Sequence, residues 1–259
     1  MPILSLGGKS ALVTGGAHRI GRAIALALAA AGANVAITYR NSGSQAEETV
    51  RRIHALGVRG LAVHCDVRSE DAVRQALAAV SAHFGRLDVL VNNAAVFETE
   101  PLDRLTLEAW DRVFETNARG PFLVAREALP LLRAAHGSIV NIGSLGGLRA
   151  WTGHAHYCAS KAALHMLTQT MAKSFAPDIR VNCVAPGWID AEETGANTRS
   201  ERHSQTRGED RLSAHFAAKT PLQRNGSPDD VADAVLFFAA GSKFVTGQIL
   251  AVDGGLGLL

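Results

Sequence analysis

The chain has 259 residues, a formal charge of +2, 47% hydrophobic residues and 19% charged residues. A chain of this length buries about three quarters of the surface that its unfolded form exposes, so its core needs no disulfide or structural metal. The near-neutral charge excludes a basic surface for nucleic acid or anionic membranes, and the ordinary composition excludes a disordered chain.

Targeting and membrane signals are missing from the sequence. Residues 1–8 have no basic region followed by a long apolar run, and no stretch of about 18 apolar residues is free of charges. The three cysteines have no CxxC spacing and the ten histidines form no HExxH motif, which predicts no metal. We therefore expect a cytoplasmic protein that acts on a small molecule, without a nucleic-acid or membrane partner.

Short apolar runs alternate with amphipathic stretches along the chain. The runs predict strands at Ser10–Thr14, Asn34–Tyr39, Gly60–His64, Val89–Val91, Ser138–Ile142, Ile179–Val184 and Ile249–Val252. The stretches predict helices at Ile20–Ala31, Gln45–Leu56, Glu70–Phe84, about 106–117, about 120–134, His156–Phe175 and Asp229–Ala240. This alternation indicates the α/β class: a single-domain, doubly wound Rossmann fold over residues 1–259, with a seven-stranded parallel sheet and helices on both faces.

One polar segment interrupts the alternation. Ala191–Thr220 carries many charges of both signs and shows little apolar periodicity. Ligands of doubly wound folds bind beyond the carboxyl ends of the strands, where this segment is expected. We interpret about 188–220 as a variable substrate loop and favour a mobile lid over a disordered surface insertion.

A glycine-rich turn joins the first strand to the first helix. Gly15 permits a sharp turn and Gly21 permits close packing of the helix on the strand. The helix N-terminus presents N–H groups and a positive dipole end to a phosphate, and Arg19 adds a cation where the usual fingerprint has a glycine. The predicted phosphate-binding residues are Gly15, His18, Arg19, Ile20 and Gly21.

The residues after the second strand predict which nucleotide binds. NAD sites place an acid there to hold the ribose hydroxyls, but no Asp or Glu lies between Ala33 and Ala46. The run Tyr39, Arg40, Asn41 and Ser42 suits a 2′-phosphate, so we predict NADP(H). Later strand ends add the predicted cofactor contacts Asp66, Val67, Asn93, Ala94 and Ala95, with Asp66 bonding an adenine amino group.

A second group of residues is suited to acid–base chemistry. Tyr157 and Lys161 are four residues apart, so they share one face of the predicted helix. A nearby ammonium favours the phenolate, so we expect Lys161 to lower the pKa of Tyr157. Ser144 follows a strand and can bond the same substrate oxygen, while Asn117 can anchor a water between itself and Lys161.

These motifs, in this order and spacing, resemble the short-chain dehydrogenase/reductase family over about residues 9–255. The matching residues include the glycine turn, Asp66, Asn92-Asn93-Ala94, Asn117, Ser144, Tyr157, Lys161, Pro186-Gly187 and Val252-Asp253-Gly254-Gly255. The resemblance implies hydride transfer at a nicotinamide, with Tyr157 as acid/base, Lys161 on the nicotinamide ribose, Ser144 on the substrate oxygen and Asn117 on a relay water. It also implies cofactor contacts from Pro186 and Gly187, and a homotetramer.

Within that family, the turn with Arg19, the run at Tyr39–Ser42 and the segment ending in Phe97 resemble pteridine reductases. The resemblance implies that Phe97 stacks on a pterin ring. Two departures weaken pterin binding and leave ketone substrates open: Ser144 stands where pteridine reductases often have an aspartate, and Ala95 replaces a pterin-binding serine.

The alternative resemblance is to 3-oxoacyl-carrier-protein reductases, which share the Ser-Tyr-Lys set. A further alternative is a non-catalytic NADP(H) sensor on the same fold. The predicted substrate pocket contains Phe97, Leu145, Trp151 and Trp188.

Overall fold

The computed structural model describes residues 4–190, 206–241 and 243–258. Seven strands form one sheet: β1 Ser10–Val13, β2 Asn34–Tyr39, β3 Gly60–His64, β4 Val89–Asn92, β5 Ser138–Ile142, β6 Arg180–Pro186 and β7 Ile249–Val252. Their order is β3-β2-β1-β4-β5-β6-β7, and every neighbouring pair is parallel. The predicted seven-stranded, doubly wound fold is confirmed.

The chain enters the sheet near its middle and turns back on itself once. From β1 it moves outwards to β3 and then crosses over to β4, so that Leu12 pairs with Ala36 on one side and with Leu90 on the other. A doubly wound sheet opens a crevice where its strand order reverses in this way. The carboxyl ends of β1 and β4 therefore mark the expected ligand crevice.

Helices cover both faces of the sheet. Their bounds are α1 Arg19–Ala30, α2 Gly43–Ala55, α3 Glu70–Phe84, α4 Leu107–Phe114, α5 Gly120–Ala135, α6 Ala155–Phe175, α7 Thr206–Lys219 and α8 Pro228–Ala240. Val13 packs in a core with α1, α2 and α8, while its neighbour Leu12 packs in a second core with α3, α5 and α6. The two-residue period of a strand sends successive side chains to opposite faces, which is why most strand residues are apolar. Among the described residues, no helix is long and apolar enough to cross a membrane.

The structure corrects three of the predicted elements. The stretch predicted as one helix over about 106–117 is α4 followed by a π-helical turn, Glu115–Arg119, which carries Asn117. Strand β6 runs on to Pro186, beyond the predicted end at Val184.

The third correction concerns the polar segment at 191–220, where Thr206–Lys219 forms helix α7 although the sequence shows little apolar periodicity. Its Phe216 stacks on Trp188 with ring centroids 4.4 Å apart, a tertiary contact that no local pattern signals. The remainder of the predicted lid, residues 191–205, lies outside the described residues.

A buried chain of polar side chains ties α6 to the sheet. The Asn92 amide donates to Asn141 Oδ1 across 2.9 Å, and the Asn141 amide donates to Thr168 Oγ1 across 2.9 Å. The Thr168 hydroxyl in turn donates to the Leu164 carbonyl across 2.8 Å. Because these side chains are almost fully buried, each donor depends on its neighbour for satisfaction. The network fixes α6 against β4 and β5.

We predict that Thr168→Val lowers the free energy of unfolding by about 1–3 kcal/mol, because it leaves the buried Asn141 amide without its acceptor and creates no cavity. Thr170→Val is the matched control, since Thr170 makes the same bond to the carbonyl four residues earlier but is exposed. Urea unfolding of both variants measures the difference. Equal stability of the two would show that the network does not hold α6.

Candidate active site

The glycine turn brings three chain segments together at the switch point. Asn93 follows β4 and donates its side-chain amide to the carbonyls of Thr14 and Gly15, across 2.9 and 3.1 Å. A Cβ on Gly21 would lie 2.5 Å from that amide nitrogen, and a Cβ on Gly15 would lie 3.0 Å from the Ala94 Cα. The missing side chains at Gly15 and Gly21 therefore make this close approach possible.

Arg19 takes an unusual backbone conformation for a residue other than glycine. Its φ is +53°, in the left-handed region. This conformation explains why the usual fingerprint has a glycine here, and it costs a residue with a side chain about 1–2 kcal/mol. Arg19 is also the first residue of α1, and the side chain of the N-cap residue, His18, makes no capping hydrogen bond. Strain of this kind concentrates at functional sites, and here it places an exposed guanidinium beside free N–H groups.

Arg40, the predicted 2′-phosphate contact, lies beside Asp66. Arg40 is half-exposed and its Nη1 lies 3.9 Å from Asp66 Oδ2. Arg68, which the sequence analysis missed, bonds the same carboxylate through Nε and through Nη2, the latter at 2.6 Å. The Arg68 hydrogen bonds lower the pKa of Asp66. The carboxylate is therefore ionised and held in place, while its predicted contact with an adenine amino group stays a prediction.

The other residues of that run lie around the start of α2. Tyr39 is half-buried and its ring meets His64 edge to face, with centroids 5.7 Å apart. Asn41 is exposed, and Ser42 is the N-cap residue of α2. These side chains leave Arg40 with polar neighbours beyond the carboxyl end of β2.

The predicted catalytic side chains meet at the start of α6. Ser144 follows β5 and is buried, and its hydroxyl accepts a hydrogen bond from Gly146 N across 3.0 Å. The Ser144 side chain also lies close enough to the Tyr157 phenol to lower the pKa of that phenol. Lys161 Nζ lies 5.8 Å from the centre of the Tyr157 ring and donates to the Ile142 carbonyl across 2.8 Å. The structure therefore brings Ser144, Tyr157 and Lys161 together as predicted.

The expected electrostatic coupling of Tyr157 and Lys161 is wrong for this structure. Burial raises the pKa of Tyr157 above 10, and the opposing influence is the Ser144 hydrogen bond rather than the lysine. Burial also lowers the pKa of Lys161 to about 8. The ammonium is directed to the Ile142 carbonyl instead of the phenol oxygen. Tyr157 is thus protonated at neutral pH and suited to donating a proton.

Asn117 lies close to this group but has a different set of contacts from those predicted. Its side-chain amide donates to the Val96 carbonyl across 2.9 Å and to Ser160 Oγ across 3.1 Å, and its oxygen accepts from Val96 N. Both side-chain donors are therefore committed to the protein, and the predicted contact of Asn117 with a water stays a prediction. Through these contacts Asn117 joins the segment after β4 to α6.

Aromatic side chains pack around the Tyr157 ring. Phe97 meets Tyr157 edge to face, with ring centroids 4.8 Å apart, and stacks on His154 at 4.6 Å. Trp151 stacks parallel to Tyr157 at 6.2 Å. Phe97 is 56% exposed, so it presents apolar surface beside the phenol. His154 belongs to this aromatic group, although the sequence did not predict it as a pocket residue.

Two predicted pocket residues are engaged elsewhere. Leu145 is 4% exposed and its side chain packs under Gly257, where an added Cβ would lie 2.9 Å from it. The Trp188 ring is stacked on Phe216, and its Nε1 donates to Asp190. The predicted contacts of both side chains with a substrate stay predictions.

The remaining predicted cofactor contacts lie at strand ends. Pro186 ends β6, and Gly187 N donates to the Val252 carbonyl across 3.0 Å. A Cβ on Gly187 would lie 2.7 Å from the Asp253 Cβ, so this glycine permits close approach of the C-terminal segment. Val67 is buried, while Ala95 is exposed.

We predict that Lys161→Met raises the free energy of unfolding by up to about 3 kcal/mol below pH 8. The unfolded chain keeps the ordinary lysine pKa of 10.5, whereas the folded chain binds this proton only below about pH 8. Lys161 therefore costs stability increasingly as the pH falls from 10.5 to 8, and the gain in the variant shrinks as the pH rises.

Urea unfolding at pH 7 and pH 10 measures this difference. Lys173→Met, at an exposed position on α6, is the control and should show no such pH-dependent gain. Equal stability of Lys161→Met and the parent chain at pH 7 would contradict the assigned cost of burial.

Known proteins resemble the chain over nearly its whole length. The family described as enoyl-(acyl carrier protein) reductase matches residues 15–257. A 3-oxoacyl-[acyl-carrier-protein] reductase FabG of Staphylococcus epidermidis is 39% identical over 251 residues, covering 96% of this chain and 98% of the relative. A 3-oxoacyl-[acyl-carrier-protein] reductase of Synechocystis sp. is 37% identical over 256 residues, with coverages of 97% and 98%.

Solved structures agree with these sequence matches. A short-chain type dehydrogenase/reductase from Mycobacterium marinum is 33% identical, with a TM-score of 0.86 and coverages of 98% and 97%. A blue fluorescent protein from a metagenomic library, solved in complex with NADPH, is 36% identical, with a TM-score of 0.85 and coverages of 97% and 99%. With its doubly wound sheet, glycine turn and serine–tyrosine–lysine group, the chain belongs to the short-chain dehydrogenase/reductase family of oxidoreductases.

Proposed function

We propose that the chain is an NADPH-dependent carbonyl reductase whose substrates are 3-oxoacyl thioesters. The observation that carries this proposal is the group formed by Ser144, Tyr157 and Lys161 beside the exposed ring of Phe97. The group supplies a hydroxyl, a protonated phenol and a buried cation within one small volume. A ketone oxygen requires these groups when it gains a proton during reduction.

The cofactor site fits NADPH in its shape and its charge. The cradle at Gly15 and Gly21 has no space for side chains and leaves N–H groups of α1 to bind the phosphates, with Arg19 beside them. Arg40 is the residue that would bind the 2′-phosphate, because its guanidinium is exposed beyond β2 and its carboxylate neighbour, Asp66, is already bonded by Arg68. When bound, NADPH supplies the hydride for the reduction.

The chain's own residues complete the proton balance. Ser144 donates a hydrogen bond to the substrate oxygen and holds it beside the Tyr157 phenol. Tyr157 gives its proton to that oxygen as the carbonyl carbon gains the hydride, so that a ketone, one hydride and one proton become a secondary alcohol. The Ser144 hydroxyl stabilises the phenolate that remains, and the phenol is reprotonated from solvent.

The choice of a 3-oxoacyl thioester is supported by two independent observations. Two relatives that match almost the whole chain are named as 3-oxoacyl-[acyl-carrier-protein] reductases. Ser144 also supplies a neutral hydroxyl, which suits a ketone oxygen better than a ring nitrogen that must be protonated. Direct reduction of a short 3-oxoacyl thioester, followed through NADPH absorbance, tests the proposal.

A dihydropterin is the second candidate substrate, and Phe97 favours it. More than half of this side chain is exposed beside Tyr157, and His154 covers one face of its ring. A flat heteroaromatic ring gains from contact with such an aromatic group. Turnover of dihydropterin without turnover of the thioester would contradict the main proposal and favour this one. Tight NADPH binding without turnover of either substrate would favour the sensor alternative.

We also propose a homotetramer, which the family resemblance implies. Sedimentation of the purified chain tests this assembly independently of activity.

Tyr157→Phe is expected to lower kcat for thioester reduction by about 10²–10⁴-fold, because it removes the proton donor. The Kd for NADPH should stay within about twofold of the parent value, since the ring and its packing remain. Stopped-flow turnover and fluorescence titration measure the two effects. Parent-level turnover in this variant would contradict the proposed mechanism.

Arg40→Ala is expected to reduce the NADPH/NADH affinity ratio by at least about tenfold, since it removes a charge-assisted phosphate contact. Arg51→Ala is the control, because Arg51 lies on the exposed side of α2 and pairs with Glu48. Direct titration with both nucleotides measures the ratio. An unchanged ratio in Arg40→Ala would remove Arg40 from the 2′-phosphate site.

A further inference from the structure

A buried histidine lies directly beneath the segment that carries Ser144. His165 is on α6, one turn beyond Lys161, and only 5% of its surface is exposed. The proposed mechanism assigns no role to this side chain. A buried imidazole needs an explanation, since a leucine or isoleucine of similar volume would fill the same space without burying polar atoms.

The imidazole occupies the space left by two glycines on either side of Ser144. A Cβ on Gly143 would overlap His165 Nε2, and a Cβ on Gly147 would lie 2.6 Å from His165 Cε1. Gly147 also approaches the α6 backbone, since its added Cβ would lie 2.8 Å from the Lys161 carbonyl carbon. The turn at 143–147 thus packs on α6 through the histidine ring. This close packing leaves the ring little space to move.

A polar contact joins the same ring to Ser144 itself. The Ser144 backbone N–H donates to His165 Nε2 across 3.5 Å, which is the long end of the hydrogen-bond range. Burial and the neighbouring Lys161 ammonium lower the pKa of His165 to about 4. The ring is therefore neutral near pH 7 and can accept this hydrogen bond without adding a second positive charge beside Lys161.

We propose that His165 is a positioning residue for the reductase reaction: its ring, seated between Gly143 and Gly147, fixes the Ser144 hydroxyl against the Tyr157 phenol. This inference rests on the proposed function for its catalytic consequence. Its structural part, the ordering of residues 143–147, is independent of any substrate or cofactor. His165 itself lies behind Ser144 and acts through it.

The test compares three variants of the full chain. His165→Leu keeps the apolar volume and removes the acceptor, His165→Gln keeps an acceptor near the position of Nε2, and Met166→Leu is the control at an exposed neighbouring position. Hydrogen–deuterium exchange of the peptide covering 143–147 is measured on each chain alone. Steady-state kinetics with NADPH and a 3-oxoacyl thioester give kcat and KM.

In His165→Leu we expect exchange at 143–147 to rise several-fold and kcat to fall about tenfold, with the NADPH KM within about twofold of the parent value. His165→Gln should restore both the exchange rate and kcat most of the way to the parent values. Met166→Leu should match the parent chain. If His165 were needed only for folding, His165→Leu would lower the yield of folded protein but would not lower kcat at an unchanged KM.

Parent-level exchange or parent-level kcat in His165→Leu would overturn the inference. A parent chain that reduces neither the 3-oxoacyl thioester nor a dihydropterin would instead overturn the proposed function. In that case the exchange comparison still decides whether His165 orders the Ser144 turn: faster exchange in His165→Leu alone supports the ordering, and equal exchange rejects it.

Discussion

A lysine cation held inside the protein is the constraint on which the rest of the site depends. Lys161 is 3% exposed, and its ammonium hydrogen-bonds the carbonyl of Ile142 at the end of β5. Burial opposes this charge and lowers the pKa of the lysine to about 8. The helix that carries it must therefore be fixed firmly to the sheet. The network from Asn92 through Asn141 to Thr168 does this in the interior.

The glycine turn also contains positions that lower the stability of the fold and serve the functional site. Arg19 adopts a left-handed backbone conformation, and Gly21 allows a helix and a strand end to approach more closely than side chains permit. Neither feature favours stability for its own sake. Both leave N–H groups and a cation at the switch point of the sheet, where an anionic nucleotide can be bound. The fold supplies the stability that these two positions lack.

The sequence predicted the parts of the structure that follow from local patterns. Alternation of apolar runs and amphipathic stretches predicts the sheet and most of its helices, and the spacing of Tyr157 and Lys161 predicts their shared face. Contacts between distant segments were missed. Helix α7 places Phe216 on Trp188, a contact between segments that are far apart in the chain. The bond from Arg68 to Asp66 is local but was also missed, because their spacing alone does not show that the two side chains meet. The role of His165 depends on glycines about 20 residues away in the chain, which no periodicity connects to it.

Transfer of deuterium from labelled cofactor to substrate tests the central claim most directly. NADPH carrying deuterium at both C4 positions is incubated with the chain and a short 3-oxoacyl thioester, and the product is examined by mass spectrometry. The account predicts a 3-hydroxyacyl thioester with one deuterium on its new carbinol carbon. Oxidation of the cofactor that yields an unlabelled product, or binding of the cofactor with no product at all, would contradict it.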